Sequence, residues 1–366
     1  VSDQSQREVG VVGGAAVPHA PQFFTLPATE NHEQVARIKT TMGEMGQRLL
    51  DLKPDAIVIV ANDHLDNFLL GVSPAFTIHR GPTAGGTFSD TNFEWPVHSD
   101  AALNIAMDLQ DQGFDPAISL NAPIGYEFGI PLTFMGITDQ VPIIPIFINS
   151  YVPPQPSADR CYQLGKAIDS AAKRLGLRLV VIASGGLSHY PGTDLYSNPD
   201  IKTDTYLLER MAQGNLRVLL SLDERMLDHT GNVEARSWLM LAGALGERIP
   251  SQVALEPSWH HVYAMVSWDA TSPDRQLPEL HYPIPRADQL PLYEALYDLR
   301  MNDESCLAHI ADPVEFASRW DLTPEEADAV ASLSEEKING LGVHPLLGFL
   351  ARLQVGLVKK RQGIAA

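Results

Sequence analysis

The sequence predicts an α/β fold: a central, mostly parallel or mixed sheet flanked by helices, followed by a small all-helical module. Three observations point to it. Continuous apolar runs such as "DAIVIVAND", "VPIIPIFIN" and "LRLVVIAS" read as strands covered on both faces. Amphipathic stretches of helical length lie between them. After a Pro-rich segment at residues 272–291, "SPDRQLPELHYPIPRADQLP", the apolar runs give way to short helical segments.

Taken in order, "VGVVGGAAV" (residues 9–17) is a strand rich in small residues, followed by the loop "PHAPQFF". "HEQVARIKTTMGEMGQRLLDL" places Val35, Ile38, Met42, Met45 and Leu49 on one helical stripe. "DAIVIVAND" is the next strand, and "SDAALNIAMDLQDQG" is a helix with Ser99 as its N-cap and Gly113 as its stop. The helix "DRCYQLGKAIDSAAKRLG" joins "VPIIPIFIN" to "LRLVVIAS". Beyond the Pro-rich segment, "LYEALYDLRMNDESCLAHI", "DPVEFASRW", "TPEEADAVASL" and "HPLLGFLARLQVGLV" read as short helices, one opened by the capping sequence Thr323-Pro324-Glu325-Glu326. The expected division is a domain at 1–285 and a helical module at 286–366.

A net charge of −19 argues against nucleic acid or an anionic membrane surface as a partner, since both need basic patches. The basic cluster "KKRQ" near the end of the chain reads as a solvated tail. Cys161 and Cys306 give neither a disulfide framework nor metal-ligand spacing. The first residues lack a signal-peptide pattern and no apolar run reaches membrane length, so the expected location is the cytoplasm. A symmetric homo-oligomer, most simply a dimer, is the expected assembly.

Three histidines share one context. His19 follows the first strand, His64 follows "IVAND", and His189 follows "VVIASGGLS". In open α/β sheets ligands sit beyond the carboxyl ends of strands, so these three imidazoles are candidates to converge on one crevice. Two histidines and one carboxylate on one face would suit a metal that keeps open coordination positions. With 45 acidic residues the carboxylate is hard to single out. Glu234, in the first turn of a helix capped by Asn232, is a candidate, and Asp63 and Glu127 are others.

The quartet "VPHAPQF", "IVIVANDH", "ASGGLSH" and "GNVEARSWLMLAGALG", in that order, resembles the class III extradiol ring-cleaving dioxygenases, typified by the protocatechuate 4,5-dioxygenase β subunit. The resemblance covers most of residues 9–270. "DPVEFASRWDLTPEEADAVASL" and "INGLGVHPLLGFLARLQ" resemble the α subunit of the same enzymes, as in the single-chain gallate-type members. The resemblance implies Fe(II) held by His19, His64 and Glu234, with His189 as acid/base residue beside it. It also implies O2 and a small aromatic diol as substrates, at the family level a carboxylated catechol, with a heterocyclic diol or an aminophenol as alternatives given Phe128. Many members carry an Asp-His-Gly stretch where this chain has Glu127, Phe128 and Gly129. Glu127 and Phe128, with Tyr190, are therefore the expected substrate-binding residues. The family's α module covers the active site, which would bring His344 towards the pocket, though a capping role suits it better.

The chemistry accounts for the residue types. A diol must lose a phenolic proton on binding, a bound metal lowers that proton's pKa, and an imidazole titrating near neutrality can then accept it. Two other readings compete: a non-catalytic metal-binding scaffold on the same fold, and a zinc enzyme, since His/His/Glu also suits catalytic zinc. His260 and His261 read as strand packing. His79, His98, His229, His281 and His309 read as surface or loop residues.

Overall fold

A computed structural model describes residues 8–276 and 282–364. The chain divides into two compact units, 1–275 and 276–366, slightly earlier than the expected boundary at 285/286. His281 lies outside the described residues.

The first unit opens with β1 (Gly10–Val17), a short helix α1 (Gln22–Thr25), α2 (His32–Asp51) and β2 (Ala56–Asn62). Next come β3 (Phe76–His79), a hairpin of β4 (Thr83–Phe88) and β5 (Thr91–Pro96), α3 (Ser99–Asp111) and β6 (Ala117–Ser119). Helix α4 (Tyr126–Phe134) leads into β7 (Ile143–Ile148), α5 (Ala158–Leu175) and β8 (Arg178–Ser184). The unit ends with α6 (Ile201–Ala212), α7 (Glu224–His229), α8 (Ala235–Leu245), β9 (Gln252–Pro257) and β10 (Val262–Trp268).

Eight strands form one mixed sheet in the order β6-β3-β7-β2-β8-β1-β10-β9. Its centre is parallel: β7, β2, β8 and β1 run together, and β10 is antiparallel to β1. Val17 pairs with Ser184 and Asn62 with Ile148, so four strands end along one edge of the sheet. Both faces are covered, which is why these strands are buried along their whole length and read as unbroken apolar runs. The stripe Val35, Ile38, Met42, Met45 and Leu49 lies on the face shared with α4, whereas α3, α5 and α8 cover the other. Helices α5 and α8 approach closely because each offers a glycine. A Cβ on Gly165 would stand 1.8 Å from the Met240 carbonyl oxygen, and one on Gly243 would stand 1.9 Å from that of Tyr162.

Local details differ from the sequence expectation. His98, not Ser99, is the N-cap of α3, its ring accepting from the Ala101 amide. Asn232 does not cap α8; Glu234 itself occupies the N-cap position, and the Asn232 amide turns to Asp204. His79 is buried in β3, with Nε2 3.0 Å from the Thr83 carbonyl. His309 is likewise buried, against the Val330 carbonyl, and neither is a surface residue.

The second unit contains α9 (Leu290–Met301), α10 (Asp303–Ala311), α11 (Pro313–Ala317), α12 (Pro324–Ser332), α13 (Glu335–Gly340) and α14 (Pro345–Arg361). They enclose their own core, including Leu292, Leu296, Phe316 and Val330. Thr323 and Glu326 form the capping box of α12. His344 sits at the N-cap of α14 without a side-chain cap; its ring stacks on Tyr282 instead. Lys359, Lys360 and Arg361 are the last turn of α14, where cations favour the helix dipole, rather than a separate tail. Among the described residues no helix is long and apolar enough to cross a membrane.

Candidate metal centre

Side chains from three distant parts of the chain meet at the edge where the central strands end. His19 follows β1, His64 follows β2, and Glu234 heads α8. One ligand atom from each lies within 4.8 Å of the others. Glu234 Oε1 is the shared focus, 3.3 Å from His19 Nε2 and 3.1 Å from His64 Nε2. Asp63 is not part of this group, because its carboxylate accepts from the amides of Asn67 and Phe68 and shapes the loop bearing His64. Leu65, directly after His64, has φ 70, a left-handed conformation uncommon for a side chain of its size.

Each ring is oriented from behind. His19 Nδ1 lies 2.8 Å from Ser184 Oγ, and that hydroxyl donates its one proton to the Glu127 carbonyl. Ser184 must therefore accept from His19, which puts the ring proton on Nδ1 and leaves the Nε2 lone pair facing Glu234. Burial lowers the pKa of His19, against the pull of Glu234, and so favours the neutral, metal-binding form. His64 has its Nδ1 buried without a hydrogen-bond partner, 4.0 Å from Glu127 Oε2, which also lacks one. Burial opposes protonation of His64, but the hydrogen bond and charge of Glu234 prevail and raise its pKa.

Glu234 is fully buried. Burial alone would protonate it, but the imidazoles of His19 and His189 hold its pKa well below the usual carboxylate range. Its Oε2 accepts from the Gly186 amide at 2.9 Å, and Oε1 also accepts from the Tyr151 hydroxyl at 2.8 Å. A buried carboxylate flanked by two imidazole Nε2 atoms is the donor set a divalent metal requires, so the residues present fit the ion.

His189 stands beside this set. Its Nδ1 is 2.9 Å from the Leu187 carbonyl, so that nitrogen carries a proton and Nε2 faces inward. Nε2 lies 3.6 Å from Glu234 Oε1 and 3.4 Å from the Tyr151 hydroxyl. Burial works against protonation here too, but the charge and hydrogen bond of Glu234 and the Leu187 carbonyl raise the pKa overall.

These groups line a cavity of about 180 Å³, roughly six waters' share of liquid volume and so suited to a single-ring ligand. A larger concavity of about 680 Å³, beside the β4–β5 hairpin, contains none of the converging ligands. The smaller cavity is also lined by Gln22, Tyr126, Tyr151, Tyr196, His260 and His261. His261 was expected to be packing. Instead it precedes β10, whose antiparallel direction brings its start to the edge where the parallel strands end, and its ring stacks on His189 at 4.1 Å. His260 faces the same space, with Nε2 3.1 Å from Glu30.

The three residues expected to touch substrate do not line the cavity. Phe128 is fully buried because its segment is helical, and the ring packs against Phe147 at 4.8 Å. Glu127 sits behind His64, its Oε1 accepting from the Gly125 amide. Tyr190 turns away, its hydroxyl donating to the His229 carbonyl.

Comparison with known proteins agrees with this geometry. Residues 13–270 match the family model described as "Catalytic LigB subunit of aromatic ring-opening dioxygenase". A "2,3-dihydroxyphenylpropionate/2,3-dihydroxicinnamic acid 1,2-dioxygenase" of Klebsiella pneumoniae is 32% identical over 210 residues, covering 57% of this chain and 64% of that protein. Its namesake in Escherichia coli is 32% identical over 196 residues, covering 53% of this chain and 60% of its own. The match thus spans a little under two thirds of the length of these relatives. A solved structure of an uncharacterized Escherichia coli K12 protein has a TM-score of 0.41 at 16% identity, covering 70% of this chain and 99% of that one, a likeness too slight to carry weight. The chain belongs to the family of the catalytic LigB subunit of aromatic ring-opening dioxygenases.

Proposed function

We propose that this member of the LigB family holds Fe(II) through His19, His64 and Glu234 and cleaves a catecholic ring beside its diol, incorporating both atoms of O2. The observation that carries the reading is the convergence of two imidazoles and one ionised carboxylate on the wall of a cavity of single-ring size. A bound ferrous ion would bring diol and O2 together on its open positions and acidify the phenol. The protein's own residues do the rest. His189 presents Nε2 to the cavity and takes the phenolic proton, then returns it as ring opening proceeds. Tyr151 donates to Glu234 Oε1 and holds that carboxylate beside His189. Tyr263 stacks on His261 and packs against Phe23, so this side of the cavity is backed by buried aromatic rings.

The named relatives act on a dihydroxyphenyl acid, which supports a catechol carrying a carboxylated substituent as substrate. No Lys or Arg is among the described residues lining the cavity, so Gln22, Tyr196, His260 and His261 are the groups available to meet a carboxylate. Residues 286–366 are the counterpart of the family's α subunit. The test is metal analysis after anaerobic purification, followed by a panel of diols on iron-reconstituted protein. The expected result is one iron per chain and a yellow semialdehyde product formed with O2 uptake. Zinc as the sole active metal, or no O2 uptake with any diol, would overturn the proposal.

A further inference from the structure

Asp204, on α6, is a carboxylate with no exposed surface, and its hydrogen-bond partners among the described residues are the neutral Ser188 and Asn232. Such a group is expensive to bury unless donors satisfy it. Three do: Oδ2 accepts from both the amide and the hydroxyl of Ser188, at 3.0 and 2.5 Å, and Oδ1 accepts from the Asn232 side-chain amide at 2.9 Å. Ser188 directly precedes His189, and Asn232 lies two residues before Glu234. The two turns are also joined by the His189 amide, which donates to the Gly231 carbonyl at 3.1 Å. An apolar side chain would pack α6 without this burial cost, so the carboxylate needs another reason to be there.

We propose that Asp204 is a positioning residue that binds together the turn carrying His189 and the turn carrying Glu234, and so sets the distance between acid–base imidazole and ligand carboxylate. The inference rests on the metal-ligand reading of His19, His64 and Glu234. Asp204 touches neither metal nor substrate; it acts through Ser188 and Asn232.

The experiment compares Asp204→Leu with Asp204→Asn in the full chain. Asparagine keeps an oxygen for Ser188, and a flip of the Asn232 side chain would turn its Oδ1, which has no hydrogen-bond partner, towards the new amide in place of the Nδ2 that now donates to Asp204. Asp204→Leu is expected to weaken Fe(II) affinity, measured by calorimetry, and kcat, each by roughly tenfold or more, as outer-shell losses do. The pH profile of kcat should move as well, with KM little changed, and Asp204→Asn should recover most of the loss. If Asp204→Leu does not fold, the double variant Ser188→Ala/Asn232→Ala removes the side-chain bonds and should show the same pattern. A fall in Tm with unaltered metal affinity, kcat and pH profile would overturn the proposal, leaving Asp204 a structural residue only. Wild-type protein that binds no iron or opens no diol would count instead against the metal-centre reading on which it rests.

Discussion

Ser184 Oγ, 2.8 Å from His19 Nδ1, determines which nitrogen of that ring faces the metal centre. Its only proton goes to the Glu127 carbonyl, so it can accept from His19 but not donate to it. Replacing Ser184 with alanine leaves Nδ1–H buried without an acceptor and frees the ring to change tautomer. The expected outcome for Ser184→Ala is a 10–100-fold loss of metal affinity, the usual effect of removing the partner behind a ligating histidine. Calorimetric titration with Fe(II) under anaerobic conditions checks it, and an unchanged affinity would show that the hydroxyl is dispensable.

Gly186 is the closest approach in the site. Its amide serves Glu234 Oε2, and a Cβ added to it would stand 1.6 Å from His261 Nε2. His261 cannot swing aside freely, being stacked between His189 and Tyr263. Gly186→Ala should therefore cost about 1–3 kcal/mol, as overpacking of a filled interior does, and displace His189. Thermal denaturation and turnover should both register the change, and a variant with wild-type Tm and activity would mean the loop yields without strain.

Glu127 supplies a pH dependence. Burial pushes its pKa from 4.5 up to about 7. Between those values the unfolded chain has released the proton that the folded protein still holds, so folding stability falls as pH rises across that window. The contribution is at most roughly 3 kcal/mol at neutral pH, from the size of the shift and about 1.4 kcal/mol per unit. Denaturant titrations of metal-free protein at pH 5 and 7 should show this loss in the wild type and less of it in Glu127→Gln. Equal losses in both proteins would place the titration elsewhere.

The division between what the sequence revealed and what it hid has physical causes. The parallel strands and the α2 stripe were legible because a two-face-covered strand and a one-face-covered helix leave different apolar periods. Helix α4 leaves none: it is apolar around nearly its whole circumference, so "YEFGIPLTF" has no amphipathic signature and Phe128 could be mistaken for a pocket wall. The strands β6 and β9 and the β4–β5 hairpin are edge or partly exposed elements without a strong apolar run, and β3, though internal and buried, is only four residues long. In the site, His19, His64 and His189 were recoverable from the strand-end rule, and the same rule would have found Tyr151, just past β7. His261 was not recoverable in that way, since the rule looks after strands, and this residue precedes an antiparallel one whose direction the sequence does not declare. The composition could not single out Glu234 among the acidic residues. The family resemblance implied it, and the fold accounts for it physically by burying it fully between three imidazoles.

His189 and Glu234 lie 3.6 Å apart at their nearest polar atoms, yet their substitutions should separate cleanly. Glu234 is the anionic member of the ligand set, and without it two neutral imidazoles hold a divalent ion poorly, so Glu234→Ala should purify with little iron. His189 turns one nitrogen to the Leu187 carbonyl and the other to the cavity, and the three converging ligand atoms are complete without it. His189→Phe retains an aromatic ring to stack on His261 and should keep its iron. Its turnover should fall by about 10²–10⁴-fold, the usual contribution of a positioned acid–base group. Iron content by elemental analysis, set beside O2 uptake for each variant, distinguishes the two roles. Equal iron loss in both variants would make His189 a fourth ligand, and full activity in His189→Phe would move the proton-transfer role to Tyr151 or His261, the other cavity-lining groups beside it.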